Sequence, residues 1–225
     1  MVGDVNSTAA CALVGTRLRV PVVHLEAGLR SGDRRMPEEI NRLVTDAIAD
    51  VLWTPSPDAD ENLLREGIDA AKIDRVGNIM IDSYELLRSR IEQAPTRRAM
   101  GLEGQRYGVV TLHRPSNVDH RESLAQLVDG LVQVSSMLPL VFPLHPRTRH
   151  KLEEFSLLQR FVATEVRLCE PLPYIEFMNL VSGCALAITD SGGIQEETTY
   201  LGIPCLTLRE NTERPITVTQ GSNQL

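Results

Sequence analysis

A chain of 225 residues has room for one large or two small domains, and a hydrophobic share of 42% supplies real cores. A net charge of -7 argues against a general nucleic-acid binder, and no apolar run approaches the length needed to span a membrane. The N-terminal residues lack the pattern of a secretory signal, and the four scattered cysteines lie mostly in apolar segments, so a reduced, cytoplasmic protein is expected.

Strand-like and helix-like segments alternate in chain order. Val20 to Leu25 and Val51 to Pro55 are β-branched or apolar runs, and Ile73 to Gly77 is a weaker third strand. Pro37 to Ala49 reads as a helix with proline near its start, and Pro57 to Glu66 as a second, ended by Gly67. Glu92 to Gln105 is polar and punctuated by Pro95, Gly101 and Gly104, which predicts a linker. Beyond it come strands at Tyr107–Leu112, Leu140–Leu144, Val166–Cys169, Ala185–Thr189 and Cys205–Leu208. Helices at Glu122–Met137, Thr148–Phe161, Tyr174–Val181 and from Ile194 separate them. This order predicts an α/β fold with a parallel, doubly wound sheet, in domains 1–95 and 96–225. The first block offers about three strands and opens on Val2-Gly3-Asp4, which looks like the end of a strand. An incomplete first domain is expected.

The groups suited to chemistry fall where ligands of such sheets bind, at the strand C-termini. Thr189 to Glu197 joins a strand, a glycine turn and a helix start, an arrangement that offers N–H groups and a positive dipole end to an anion. Ser191, Gly192 and Gly193 form the turn; Glu196 and Glu197 follow inside the helix. Asp4 is as well explained by helix capping as by a ligand role. Glu26 ends a strand before a glycine turn, a good place for a catalytic carboxylate or a solvated loop acid. Glu38 opens a helix, where the dipole alone favours an acid. His113-Arg114 and His145-Pro146-Arg147 leave successive strands, and Arg209 and Arg214 follow the last. Each arginine alone reads as a surface charge; together the cations surround one sheet edge and suit a diphosphate. The only lysines are Lys72 and Lys151, which argues against a Walker lysine or a Schiff base.

Six ordered motifs then carry a resemblance over essentially the whole chain: Gly3-Asp4, HLEAGLR from His24, PEEINR from Pro37, TLHRPSN from Thr111, TDSGGIQEE from Thr189 and NTERP from Asn211. In order and spacing they resemble the non-hydrolysing UDP-N-acetylglucosamine 2-epimerases. The resemblance implies two Rossmann-like domains of the GT-B type with the active site between them. It implies interconversion of UDP-GlcNAc and UDP-ManNAc, with no metal and no nicotinamide cofactor. A homodimer when full length and a role in making polysaccharide precursors are also implied. Asp4, Glu26 and Glu38 match the family's catalytic carboxylates, and His113 its active-site histidine. Ser191, Gly192 and Gly193 match diphosphate contacts, Glu197 the ribose ligand, Arg214 a sugar or phosphate contact and Tyr174 a uracil neighbour. Arg114 and His145 match positions that line an allosteric substrate site in some bacterial members. Family members begin with a strand and a basic glycine loop, and end with a helical tail; neither is found here, so weak or absent activity of this piece is expected. The competing readings are a hydrolysing relative, a retaining glycosyltransferase and a UDP-sugar-binding module without turnover. The glycosyltransferase is disfavoured because Pro204 and Cys205 stand eight positions after Glu196 and Glu197, where a second glutamate is common.

Overall fold

The structure, a computed structural model, describes residues 1–225. It divides into two compact units: Met1–Ser83 with Asn211–Ile216, and Tyr84–Glu210 with Thr217–Leu225. Both are built on parallel sheets with flanking helices, so the α/β fold of two Rossmann-like units, the GT-B class, is the one observed. Against the expected ranges 1–95 and 96–225, the units change over at Ser83–Tyr84, inside a helix, and residues 211–216 belong to the first. No helix is long and apolar enough to cross a membrane.

The first unit runs α1 (Asn6–Arg17), β1 (Val23–Leu25), α2 (Pro37–Ile48), β2 (Val51–Thr54), α3 (Pro57–Arg65), β3 (Ile73–Arg75) and the start of α4 (Ile79–Gln93). Its strands pair in parallel in the order β1-β2-β3, with Val23 opposite Val51 and Leu52 opposite Ile73. Val2 adds a single parallel bridge to Leu25. Pro37 and Pro57 stand at the first positions of α2 and α3, where the missing N–H costs nothing. Ala12, Val22, Ala27, Ala49, Leu52 and Leu63 form the core.

The second unit continues through α5 (Thr96–Ala99), β4 (Gly108–Thr111), α6 (Pro115–Val118), α7 (Arg121–Ser135), β5 (Leu140–Pro143), α8 (Pro146–Glu154), β6 (Val166–Cys169), α9 (Tyr174–Ser182), β7 (Leu186–Thr189), α10 (Gly192–Leu201), β8 (Cys205–Thr207), α11 (Ile216–Thr219) and β9 (Asn223–Gln224). Its six strands are all parallel, in the order β6-β5-β4-β7-β8-β9. The chain moves outward from β4 through β6, then returns to β7 and moves out the other way. The reversal point lies between β4 and β7, where sheets of this kind bind ligands. The central strands β4, β5 and β7 are apolar on consecutive residues because both faces are covered. Val110, Phe142 and Ile188 face one core with Leu124, Val128 and Leu131. Val109, Val141 and Ala187 face the other with Met178, Leu180 and Val181.

Two expectations are corrected. The stretch 92–105 is not a free linker: Ile91 and Leu102 lie in the second unit's core, and buried Asn179 accepts from the Arg97 N–H at 3.1 Å and donates to the Ile91 carbonyl at 2.8 Å. The helix expected over 148–161 ends at Glu154, because Ser156 turns left-handed with φ 57°, and a separate 3-10 turn covers Leu158–Phe161. The helices α1 and α4 and the edge strand β9 had no counterpart among the expected elements.

Candidate functional site

In the second unit, β4 and β7 end side by side on Thr111 and Thr189, whose hydroxyls lie 2.5 Å apart. The Ser191 N–H donates to the Thr189 hydroxyl at 2.9 Å, which turns the chain into α10. Between them Asp190 is fully buried. It accepts from the His113 N–H at 3.0 Å, the Arg114 N–H at 2.8 Å and the Asn117 side-chain amide at 3.1 Å. The His113 ring adds a contact from Nδ1 at 2.9 Å. Burial pushes the Asp190 carboxyl up, but His113 and the two backbone amides outweigh it and hold the group below its ordinary value. An ionised Asp190 fixes the His113 proton on Nδ1, on a side chain 38% exposed. The His145 ring stands 5.6 Å from that of His113, and its Nδ1 accepts from the Arg147 N–H at the start of α8. Burial, then the charge of His113, push the His145 ring down toward its neutral form.

Ser191 is the N-cap residue of α10, with extended backbone, and Gly192 and Gly193 open the helix. The first-turn N–H groups of a helix have no carbonyl of their own to bond, and the absent side chains let an anion approach them. One turn further, Glu197 is buried and accepts from the Tyr174 hydroxyl at 2.8 Å. Burial and Glu197 push the Tyr174 hydroxyl up, so it stays a donor. The second unit thus brings His113, Arg114 and His145 together at the neighbouring ends of β4 and β5, and joins Tyr174 to Glu197.

In the first unit Asp4 and Glu26 lie near the end of β1. Glu26 follows that strand with φ 71°, a left-handed conformation rare for a residue with a side chain. A Cβ on Gly3 would lie 3.5 Å from Glu26 Oε2, so the Glu26 carboxylate stands over Gly3, next to Asp4 in the chain. Arg214 approaches Glu26 at 3.3 Å. The sequence order groups it with the cations of the second sheet; the structure puts it in the first unit, because residues 211–216 return there. Asp4 is not a helix cap: the N-cap of α1 is Val5, and the Asp4 carboxylate accepts from Arg42 Nε at 3.1 Å and Nη2 at 2.6 Å. Glu38 sits half-buried in the first turn of α2.

Sequence reasoning overlooked the residues that hold these groups. Asn41 donates to the Asp4 carbonyl at 2.8 Å. Buried Arg42 spans Asp4 and Glu39, and Glu39 in turn accepts from the Ser31 N–H at 2.9 Å and the Gly32 N–H at 3.0 Å. Burial pushes the Glu39 carboxyl up, but these amides and Arg42 hold it below its ordinary value. The signal was present: Glu39, Arg42 and Asp46 fall on one face of a helix, and that face is the buried one.

The family model described as UDP-N-acetylglucosamine 2-epimerase matches residues 1–225. The chain is 43% identical over 229 residues to the UDP-N-acetylglucosamine 2-epimerase of Methanocaldococcus jannaschii, covering 99% of this chain and 63% of that protein. It is 42% identical to the UDP-2,3-diacetamido-2,3-dideoxy-D-glucuronate 2-epimerase of Pseudomonas aeruginosa, with 99% and 61% covered. The crystal structure of the M. jannaschii UDP-GlcNAc 2-epimerase in complex with UDP-GlcNAc and UDP superposes with a TM-score of 0.90 at 43% identity, covering 99% of this chain and 62% of that one. The chain therefore spans less than two thirds of the length of these relatives. With a family match that runs from its first residue to its last, the chain belongs to the UDP-N-acetylglucosamine 2-epimerase family.

Proposed function

We propose that the protein catalyses reversible epimerisation at C2 of UDP-N-acetylglucosamine, giving UDP-N-acetylmannosamine. The observation that carries this is the pairing of Glu26 and Asp4 beside Gly3, each carboxylate faced by an arginine, Arg214 and Arg42. The C2 proton of the sugar is not acidic on its own. When UDP leaves C1 with the bonding pair, a carboxylate can take the C2 proton, and a C1–C2 double bond forms. The product of this step is 2-acetamidoglucal beside UDP. Re-addition of UDP at C1, with a proton delivered to the other face of C2, completes the exchange. Two faces need acid/base groups on both sides, for which Asp4, Glu26 and Glu38 are the candidates.

Departing UDP needs stabilisation of its growing charge. In this reading the amides of Ser191, Gly192 and Gly193 hold the diphosphate, and His113 Nε2 faces it, its orientation set by Asp190. Glu197 takes the ribose hydroxyls, Tyr174 lies beside the uracil, and Arg214 contacts the sugar or a phosphate. Arg114 and His145 line a second substrate site that regulates turnover. The complex of the M. jannaschii relative with UDP-GlcNAc and UDP supports the ligand class.

Incubation with UDP-GlcNAc in D2O tests the proposal by NMR. The expected product is UDP-ManNAc with solvent deuterium at C2. Epimer lacking deuterium overturns the proton-transfer step, and free N-acetylmannosamine in place of the nucleotide sugar makes the protein a hydrolase. The P. aeruginosa relative, at 42% identity, supports a second reading with UDP-2,3-diacetamido-2,3-dideoxy-D-glucuronate as substrate. The same assay with that sugar separates the two by kcat/KM.

A further inference from the structure

The side chain of His24 is fully buried, two residues before Glu26. Its Nδ1 lies 2.5 Å from Asp46 Oδ1, and its Nε2 lies 2.9 Å from the Gly3 carbonyl oxygen. Both neighbours are acceptors. The Gly3 carbonyl can only accept, so Nε2 is the donor of that bond. The carbonyl so held belongs to the residue before Asp4. The second oxygen of Asp46 accepts the Gly28 N–H at 3.1 Å and faces Arg30 Nη1 at 2.8 Å. Gly28 is two residues past Glu26. One carboxylate on α2 thus grips the chain before and after Glu26, and through the imidazole it grips the turn that leads into Asp4.

A buried histidine and aspartate are costly to keep in a core unless each polar atom is matched. Leu52, the neighbour of His24 across the sheet, occupies the same buried face with an apolar side chain, so the position itself does not demand a polar residue. What the polar pair adds is direction. It fixes the carbonyl of Gly3, and it brackets a glutamate held in a left-handed backbone conformation. A displacement of about 1 Å at a reacting group costs roughly a hundredfold in rate.

We propose that His24, oriented by Asp46, is a positioning residue that sets the placement of Asp4 and Glu26 for proton transfer at C2. The proposal rests on the reading of those two carboxylates as the acid/base groups.

The test compares His24→Asn with His24→Gln. The amide nitrogen of asparagine falls near Nδ1, so that variant keeps the contact with Asp46 and loses the one with Gly3. The amide nitrogen of glutamine falls near Nε2 and restores the donor to Gly3. In His24→Asn, deuterium incorporation at C2 should fall about 10- to 100-fold in kcat with KM for UDP-GlcNAc nearly unchanged. His24→Gln should recover most of that loss. Hydrogen exchange of the Gly3, Asp4 and Gly28 amides supplies a readout that needs no turnover: it should quicken about tenfold in the asparagine variant and much less in the glutamine variant. Equal losses in both variants, or losses that track a fall in melting temperature shared by both, overturn the positioning role. Asp4→Asn and Glu26→Gln run alongside keep the two ideas apart. If those two abolish exchange at C2 while His24→Asn does not, only the positioning role fails; if they leave it intact, the carboxylate reading itself fails.

Discussion

At the scale of single residues, Asp190 gathers donors from three residues around one buried carboxylate. Both of its oxygens face donors only: two backbone amides, one side-chain amide and the His113 ring. The Asn117 amide that meets it also donates to the Leu208 carbonyl at 2.9 Å, so the same aspartate ties the ends of β4, β7 and β8. Replacing it with asparagine turns one acceptor into an NH2 group among donors. We expect Asp190→Asn to cost roughly 3 kcal/mol of stability, read by chemical denaturation of the second unit. Its proton anchor gone, His113 should also lose its fixed tautomer. A denaturation midpoint within error of the parent protein would mean that the contacts of Asp190 are individually worthless, contrary to this account. The sequence showed Asp190 only as part of a motif. Its role was hidden because its partners lie more than seventy residues away in the chain, and a lone aspartate after a strand is indistinguishable from a turn residue.

At the scale of elements, α2 explains both what was legible and what was not. Its boundaries follow from Pro37 and from the apolar spacing of its residues, and the prediction over 37–49 agrees closely with the observed Pro37–Ile48. Which face it buries does not follow from hydrophobicity. The buried residues are Glu39, Arg42, Thr45 and Asp46, while Ile40 is exposed. Binary patterning assigns the apolar stripe to the interior, and here polar bonding to Asp4, Ser31, Gly32 and His24 overrides it. Strands β4, β5 and β7 of the second unit were legible because each is a largely apolar run bounded by turn residues, whereas the two polar residues of β9 carry no such signal. Helix α1 was not, because its sequence NSTAACALVGTR opens with cap-forming residues, holds a glycine and buries only Thr8, Ala9 and Ala12. The turn after β1 shows the same dependence on close backbone approach. Gly28 has φ 83°, and a Cβ there would come 2.4 Å from the Ala59 carbonyl oxygen at the start of α3. Backbone cannot yield as a flexible side chain can. Gly28→Ala should therefore destabilise the first unit by about 3 kcal/mol, from left-handed strain and overpacking together. Thermal melting followed by fluorescence of Trp53, the only tryptophan, gives the measurement; an unchanged melting temperature would show that α3 can move away at no cost.

At the scale of the whole molecule, each unit has a buried carboxylate that makes it sensitive to acid. Glu39 in the first and Asp190 in the second are both held below their ordinary values, 4.5 and 3.8. In each case burial opposes the shift, and hydrogen bonds from amides and a cationic partner outweigh it. A depressed carboxylate stabilises the fold in full above its ordinary value, and that contribution is lost as pH falls through the folded value. His145 acts in the same direction at higher pH. Burial and His113 hold it below 6.5, so the unfolded chain takes up this proton more readily, and acidification from 6.5 downward favours unfolding. The expected profile is a small loss of stability from about pH 6.5 and a steeper one below about pH 4.5. Each unit of depression in a carboxylate corresponds to about 1.4 kcal/mol. Two variants separate the units. Glu39→Gln should lower stability at pH 7 and flatten the acid limb reported by Trp53, which lies in β2 of the first unit. Asp190→Asn should leave that limb in place and flatten the loss seen by far-UV circular dichroism, to which the larger second sheet contributes. If the Trp53 profile of Glu39→Gln falls as steeply below pH 4.5 as that of the parent protein, the amides of Ser31 and Gly32 do not hold Glu39 ionised, and the bonding of α2 to the loop before it must be reassigned.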